Sequence, residues 1–283
     1  MKKLIALILS ITLIFGLSAF GASAADEKPF YLVLGDSIAY GSGISNSREA
    51  CYGKIVADTN GYEYSNHAVP GHTTTNLIKR LHEDEVIADV KNADIISISI
   101  GGNDFLLGNL FGLMFDSIVL NNHDSYDRIA EGFYENFCEI VDIINSYNED
   151  AVILMQTLYN PQSGYLREPY QQGADRLNAA IERYSTENPG EIVIIDVGTA
   201  LGDDMGNYAD DEIHPSAKGN EIIAGLILDK LYEIELGTGT TPVISAKGTD
   251  IDIPSAFTAP LRIIGTVFHT LSVIYTFILS ILI

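Results

Sequence analysis

Basic residues are scarce in this chain. Of its 283 residues only 16 are lysine or arginine, against 38 aspartates and glutamates, and the formal net charge at pH 7 is −22. Nucleic acid is therefore not expected as a partner, because binding a phosphate backbone requires a basic face. Such acidity favours solubility and says little about the fold.

Cysteine is nearly absent as well. Cys51 and Cys138 are the only two. The sequence leaves open whether they form a disulfide or are two separate, small hydrophobic side chains in the interior. At this length the chain can bury a substantial apolar core.

Acidic residues are absent from both ends of the chain. Residues 1–24 combine a basic start of two lysines with a long apolar stretch and the small residues Ala22-Ser23-Ala24. This pattern is typical of a secretory signal peptide, and the alternative is an N-terminal anchor that is not cleaved. In either case we expect the rest of the protein to be exported.

Residues 261–283 form a second apolar segment, with one arginine and one histidine. The 21 residues from Ile263 onward are enough to span a hydrocarbon core of ~30 Å, so we expect a C-terminal membrane-anchor helix. However, Arg262 lies on the wrong side for the positive-inside rule. The polar side chains also share one half of a helical wheel, which suits a helix lying in the membrane interface, or a spanning helix that self-associates. A removed lipid-anchor signal is a further alternative.

The middle of the chain alternates strands with helical patterns. Four of the strands are continuous apolar runs, which are typical of a parallel sheet covered on both faces, and the second is more polar and expected nearer an edge. The predicted strands span 30–35, 62–68, 94–101, 151–157 and 191–197, and the predicted helices lie within 49–61, 73–92, 126–148, 169–190 and 215–235. The alternation predicts one doubly wound α/β domain over residues 28–236. Residues 237–260, rich in Gly, Thr, Ser and Pro, are predicted to be a linker.

Polar residues follow the predicted strands at the edge where α/β sheets bind ligands, outside the carboxyl ends of the strands. Gly35-Asp36-Ser37 follows the first strand and a loop containing Gly71 the second. Gly101-Gly102-Asn103-Asp104 follows the third, and the loop after the fifth ends in Asp211-Glu212-Ile213-His214-Pro215. These loops offer a hydroxyl, glycine amides, a carboxamide, a carboxylate and an imidazole, which are the groups that acyl transfer needs.

The predicted chemistry assigns a role to each of these groups. Ser37 needs a base, because a free hydroxyl is a poor nucleophile at neutral pH. His214 titrates near neutrality and can take that proton and return it to the leaving group. Asp211 can fix the tautomer of the imidazole and stabilise its charged form. The amides of Ser37 and Gly71, with the carboxamide of Asn103, are candidate donors to the oxyanion. No metal or cofactor is expected.

The four segments resemble the sequence blocks of the GDSL or SGNH hydrolase family of serine esterases and lipases, which carry Ser, Gly, Asn and His in this order. The resemblance covers about residues 30–236. It implies a flavodoxin-like, three-layer α/β/α fold around a five-stranded parallel sheet. It also implies catalytic Ser37, Asp211 and His214 and an oxyanion hole formed by Ser37, Gly71 and Asn103. No Gly-x-Ser-x-Gly surrounds Ser37, so the strained nucleophile elbow of the α/β-hydrolases is not indicated.

Other patterns have simpler interpretations. Asp36 and Asp104 are expected to orient loops through hydrogen bonds, and the acidic loop 202–214 lacks EF-hand spacing and is expected to be solvated. Segment 105–115 is either a wall or lid of an acyl pocket or a short buried helix, and the three tyrosines of segment 159–170 either bind substrate or only pack. The histidines interpreted as structural are His67, His72, His82, His123 and His269.

The sequence thus predicts an exported serine ester hydrolase on the outer face of the cell membrane, with secretion as the alternative location. Lipid or lysophospholipid acyl esters are favoured, because the apolar segment 105–115 and the C-terminal segment both suit a lipid surface. Deacetylation of a polysaccharide is the alternative within the same class. A catalytically silent surface-binding module is the alternative of a different class, against which the four intact segments argue.

Overall fold

The apolar runs of the sequence form one parallel sheet in the computed structural model, which describes residues 28–120, 122–251 and 258–282. The strands are β1 (Phe30–Gly35), β2 (Glu63–Asn66), β3 (Ile95–Ser99), β4 (Val152–Gln156) and β5 (Val193–Ile195), in the order β2-β1-β3-β4-β5. Every neighbouring pair in this sheet is parallel. The five-stranded parallel sheet is therefore confirmed, and the more polar β2 lies at an edge. The signal peptide predicted over 1–24 falls outside the described residues.

Helices connect the strands and cover both faces of the sheet. In chain order the described α-helices are α1 (Ser37–Tyr40), α2 (Ser47–Ala50), α3 (Tyr52–Asn60), α4 (Thr74–Arg80), α5 (Asp84–Asn92), α6 (Gly102–Leu120), α7 (Asp124–Tyr147), α8 (Arg167–Glu187), α9 (Val197–Leu201), α10 (Ala217–Glu233) and α11 (Thr258–Leu282). Short 3₁₀ turns lie at Gly164–Leu166 and Met205–Asn207. The continuous helical pattern predicted over 73–92 is two helices, since α4 ends before Leu81 and α5 begins after Glu83.

Two apolar cores explain why the strands lack a polar face. Leu32 and Leu34 of β1 point into a core shared with α4, α5, α7 and α8, whereas Tyr31 and Val33 point into a second core shared with α3 and α10. All four side chains are fully buried. Burial of such a side chain stabilises the fold by about 1.5–3 kcal/mol, so both faces of the strand must be apolar.

The described part of the predicted linker 237–260 has a defined place in the fold. Residues 237–251, here named the C-terminal strap, lie along the domain and are bonded to it at both ends. Near the start of the strap, the N–H groups of Thr238 and Gly239 donate to Asn60 Oδ1. Near its end, Asp250 forms an antiparallel bridge with Ile44. Residues 252–257 of the predicted linker lie outside the described ranges.

The structure does not support the transmembrane anchor predicted over 261–283. In the part of the chain that the structure describes, no helix combines the length and the apolarity needed to cross a bilayer. Helix α11 instead packs against the domain: the ring of Phe268 meets Phe115 of α6 edge-on at 5.9 Å, and His269 stacks on Tyr165 at 4.1 Å. The polar residues that interrupt the apolar segment include His269, which lies in this contact.

The two cysteines are not bonded to each other. Both are free thiols, Cys51 buried at the start of α3 and Cys138 half-buried on α7. The disulfide alternative is therefore wrong, and the interpretation as two separate thiols is confirmed.

Candidate active site

Ser37 lies at the carboxyl edge of the sheet because β1 stops abruptly at Gly35. This glycine has φ +135° and a Cβ there would lie 2.0 Å from the carbonyl oxygen of Ser99, so no other residue fits. The next residue, Asp36, caps helix α1 by accepting a hydrogen bond from the N–H of Ile38 at 3.0 Å. Ser37 is thus the first residue of α1 and half-buried.

The loops after β2 and β3 are bonded to each other. The Asp104 carboxylate accepts from the N–H of Thr74 at 3.0 Å and from its hydroxyl. Asn103 Nδ2 donates to the carbonyl oxygen of His72 at 2.9 Å, next to Gly71. Burial raises the pKa of Asp104, and the two bonds from Thr74 oppose that rise. The hypothesis that Asp104 orients a loop agrees with this geometry.

His214 and Asp211 form a close pair after β5. His214 Nδ1 lies 2.5 Å from Asp211 Oδ2, and Asp211 Oδ1 accepts from the N–H groups of Ile213 and His214, both at 2.9 Å. Asp211 is only 4% exposed. Burial alone would raise the pKa of Asp211, but the hydrogen bond and charge of His214 and the backbone donors outweigh it and lower that pKa. Since an ionised carboxylate only accepts, Nδ1 carries the proton and Nε2 is left with a free lone pair.

The backbone around His214 is fixed by side chains that the sequence did not single out. Tyr159 Oη donates to the carbonyl oxygen of Ile213 at 2.7 Å, and Gln162 Nε2 donates to that of Glu212 at 2.7 Å. Both come from the loop after β4. The sequence predicts only that Tyr159 binds substrate or packs, and it gives no signal for Gln162, because a lone glutamine in a loop indicates nothing by itself.

The Ser37 and His214 loops meet on the same edge of the sheet. Gly43, six residues after Ser37, has φ +95°, and a Cβ there would lie 2.7 Å from the Cβ of His214. Burial raises the pKa of Asp36 to about 7, while the N–H of Ile38 and the charge of nearby His214 oppose the rise. Within the described residues, Ser37 Oγ and the His214 ring make no direct hydrogen bond. Such bonds often tighten only in the substrate complex.

A cavity of about 50 Å³ opens beside Ser37. Its polar lining comes from Asp36, Ser37, Ser99, Asn103, Gln156 and Thr157, and its apolar and aromatic lining from Ile38, Ile100, Leu106, Leu158, Tyr159, Tyr170 and Ile213. Leu106 belongs to α6, so the segment 105–115 is a helix that also forms a wall of the cavity. Gly71 is not among the residues that line the cavity. Tyr165 does not line it either, because its ring is half-exposed and stacks on His269.

The site offers several N–H donors to a substrate. Among the described residues, the backbone N–H groups of Ser37 and Gly71 donate to no other protein group, and Asn103 keeps one amide N–H beyond its bond to His72. In the described ranges, no three His, Cys, Asp or Glu side chains gather as metal ligands. The arrangement offers a hydroxyl, a carboxylate-oriented imidazole and N–H donors, which suffice for acyl transfer.

Comparison with known proteins identifies the family. A model of the GDSL-like lipase/acylhydrolase family matches residues 33–222, more than half of the chain. The uncharacterized protein YpmR of Bacillus subtilis (strain 168) is 24% identical over 166 residues, which are 57% of this chain. The chain spans 63% of the length of that curated relative.

Solved structures share the fold. The lipase Lip_vut3 from a goat rumen metagenome superposes with a TM-score of 0.61 at 21% identity, covering 74% of this chain and 98% of that one. The extracellular lipase from Streptomyces rimosus superposes with a TM-score of 0.57 at 17% identity, covering 74% and 100%. The family model covers residues 33–222 and the solved structures share the fold, so the chain belongs to the GDSL-like lipase/acylhydrolase family.

Proposed function

We propose that Ser37, His214 and Asp211 hydrolyse a carboxylic ester through a covalent acyl-enzyme. The observation that carries this assignment is the bond between His214 Nδ1 and the buried Asp211 carboxylate. It leaves Nε2 as the only ring nitrogen able to take a proton from Ser37. An ionised Asp211 also stabilises the imidazolium that forms when the proton is transferred.

In the first half-reaction, Ser37 Oγ attacks the ester carbonyl as its proton moves to His214 Nε2. The carbonyl oxygen becomes an oxyanion, which the N–H groups of Ser37 and Gly71 and the remaining N–H of Asn103 stabilise. One such donor typically contributes about 2.7–4 kcal/mol to lowering the barrier. The tetrahedral intermediate collapses, the C–O bond breaks, and His214 gives its proton to the leaving alkoxide.

In the second half-reaction, water replaces the alcohol. His214 Nε2 takes a proton from water, the resulting hydroxide attacks the acyl carbonyl, and the bond to Ser37 Oγ breaks with return of the proton to Ser37. The products are a carboxylic acid and free enzyme, so no cofactor or metal enters the balance.

The nucleophile is tested by activity and by covalent labelling of the full chain. Ser37→Ala is expected to abolish hydrolysis of p-nitrophenyl esters and the adduct that a fluorophosphonate probe forms at residue 37. Ser185→Ala is the matched control, since Ser185 is a half-buried serine of α8 that does not line the cavity. Undiminished hydrolysis by the Ser37 variant would disprove the mechanism. It would also favour a site elsewhere over the catalytically silent binding module.

As substrate we propose an acyl ester of a lipid, presented at a lipid surface. Much of the cavity lining is apolar, and Leu106 of this lining belongs to α6, against which α11 packs. Helix α11 leaves a set of apolar side chains exposed to solvent, namely Ile263, Val267, Leu271, Val273, Ile274, Tyr275, Phe277 and Ile278. Apolar side chains of a helix can enter the headgroup region without spanning the bilayer. We propose this surface association in place of the predicted spanning anchor, which the structure does not support.

A short-chain substrate is the second candidate, and the cavity volume favours it. About 50 Å³ holds roughly three to four water-sized groups, which matches an acetyl or propionyl group rather than a fatty acyl chain. A polysaccharide O-acetyl ester has such an acyl group. With a lipid, only the first carbons would lie in the cavity and the remaining chain would lie along α6.

An acyl series separates the two candidates. The rate constant kcat/KM is measured for p-nitrophenyl esters from acetyl to dodecanoyl, and then for a lysophospholipid and an acetylated oligosaccharide. A lipid substrate predicts a rise towards longer chains and cleavage of the lysophospholipid. A maximum at acetyl with no turnover of the lysophospholipid would overturn the lipid proposal and support the deacetylase.

We propose further that the protein is exported and then stays at the outer membrane surface. The pattern of residues 1–24 supports export, and one structural neighbour is an extracellular lipase. N-terminal sequencing of cell-surface protein is expected to begin after Ala24. Flotation with phospholipid vesicles is expected for the full chain and to be lost in a Val273→Asp, Phe277→Asp double variant. Equal flotation of both proteins would refute the role of α11.

A further inference from the structure

The C-terminal strap, residues 237–251, is bonded to the loop that follows helix α1. The N–H of Ser45 donates to the carbonyl oxygen of Thr249 at 2.8 Å, and the N–H of Ile251 donates to that of Gly43 at 3.0 Å. The hydroxyls of Ser45 and Thr249 lie 2.8 Å apart. The strap therefore adds a short antiparallel pairing to the loop 41–46, where the domain would otherwise present unpaired backbone groups.

This loop is in direct contact with the catalytic histidine. A Cβ on Gly43 would lie 2.7 Å from His214 Cβ and 3.3 Å from the carbonyl oxygen of Pro215. No space therefore separates the two segments. Any displacement of Gly43 towards or away from the core changes the surface against which His214 rests.

The side chain of Asp250 bonds to the segment that follows His214 in the chain. Its Oδ1 accepts a hydrogen bond at 2.8 Å from the N–H of Ala217, the first residue of α10. The first N–H groups of a helix have no partner within the helix, and a carboxylate there is also favoured by the helix dipole. Ala217 follows His214 by three residues. Asp250 thus joins two segments: its backbone pairs with Ile44 of the 41–46 loop, which contacts His214, and its side chain binds the start of α10, which follows His214.

We infer that Asp250 is a positioning residue for catalysis, which holds His214 in place by tying the 41–46 loop to the start of α10. The inference rests on the function proposed for His214. Asp250 lies outside residues 33–222 that match the family, and outside the 28–236 segment predicted to be the catalytic domain. The strap is therefore part of the active site's support in this chain.

The physical expectation follows from geometry. Asp250 is exposed, so water can replace its carboxylate at the Ala217 N–H and the fold retains most of its stability. The backbone that carries His214, in contrast, loses the bond that ties it to the 41–46 loop, and displacements of about 1 Å can cost up to ~10²-fold in rate. Loss of this one support is expected to lower kcat by about three- to tenfold, with KM unchanged because Asp250 does not line the cavity.

The test uses point variants of the full chain and p-nitrophenyl acetate. Asp250→Ala removes the acceptor, whereas Asp250→Asn retains an oxygen that can accept from Ala217. Glu221→Ala removes an exposed carboxylate of the same helix α10 and serves as the control. Measured are kcat, KM, the rate of fluorophosphonate labelling at Ser37, and the melting temperature.

The expected result is a lower kcat and slower labelling in Asp250→Ala at unchanged KM, with near-normal values in Asp250→Asn and Glu221→Ala. Ser45→Ala, which removes the hydroxyl contact to Thr249, is expected to lower kcat in the same direction and decides the matter if Asp250→Ala does not fold. An unchanged kcat in both Asp250→Ala and Ser45→Ala, an equal loss in Asp250→Asn, or an effect on KM alone would overturn the inference. Failure of the proposed function is distinguishable, because it appears as retained activity in Ser37→Ala.

Discussion

Replacing Asp36 by asparagine is expected to change how the stability of the protein depends on pH. Asp36 is only 3% exposed, and its Oδ1 accepts a hydrogen bond from Ile38 at the start of α1. Burial raises the pKa of this carboxyl from 3.8 to about 7, against the opposing effects of the Ile38 N–H and His214. Asparagine keeps an oxygen at the same place and carries no charge at any pH.

The magnitude follows from proton linkage. Between pH 4 and 7 the folded protein keeps the proton on Asp36 while the unfolded chain has lost it. The unfolded state binds fewer protons, so the stability of the wild type falls as the pH rises through this range. The stabilising contribution is complete below about pH 4 and is lost as the pH passes about 7. The gap between 3.8 and about 7 corresponds to about 4 kcal/mol in the free energy of unfolding.

Urea unfolding followed by circular dichroism at pH 4, 5, 6, 7 and 8 tests this expectation. Asp36→Asn should match the wild type within about 1 kcal/mol at pH 4 and exceed its free energy of unfolding by about 4 kcal/mol at pH 8. Glu221→Gln, which removes an exposed carboxylate of α10, serves as the control for loss of a negative charge. A difference between Asp36→Asn and wild type that does not vary with pH would show that Asp36 titrates normally, and the reasoning from burial would fail.

Three further substitutions probe the site. Gly43→Ala should lower kcat about tenfold or more, because the added Cβ meets His214. The control is Gly61→Ala, where φ is +70° and no atom lies within 4 Å; it should cost about 1–2 kcal/mol of stability and leave kcat unchanged. Equal kcat in the two variants would contradict the role of this contact. Asp211→Asn should lower kcat about 10²–10⁴-fold across pH 5–9, because His214 is no longer held in the required tautomer; a variant with the full rate would rule out the pair as catalytic. Leu106→Ala should raise kcat/KM for longer acyl esters relative to acetyl by about fourfold for each methylene group that the widened cavity admits; an unchanged acyl profile would show that this wall does not limit the chain.

The strands and their edge loops could be predicted because their signals are local. The run 30–35 has no polar side chain except the phenol of Tyr31, and 94–101 is rich in isoleucine; a strand buried on both faces needs such a pattern. The residues that follow each strand must then share one edge of the sheet. Ser37 and the Asp211–His214 pair accordingly lie at that edge, with Gly43 against His214. Their catalytic roles stay a prediction until the variants are measured.

The supports of the site could not be predicted, because they depend on contacts distant in the sequence. The Gly, Thr, Ser and Pro content of the strap predicts a linker, yet most of the bonds that hold the strap use its backbone groups, which every composition provides. The apolar segment 261–283 has enough length for a bilayer, and only the fold shows Phe268 against Phe115 and His269 against Tyr165. The break between α4 and α5 lacks any glycine or proline that would have marked it.

The different burial of the two free thiols makes local opening of the native structure measurable by alkylation. Cys51 has no exposed surface, so an alkylating reagent can reach it only when the surrounding structure separates. Cys138 is half-buried and so less shielded than Cys51, although burial raises the pKa of its thiol and keeps the thiolate scarce. The reaction at Cys138 therefore calibrates the reagent, and the slower reaction at Cys51 measures how often the native molecule comes apart around α3.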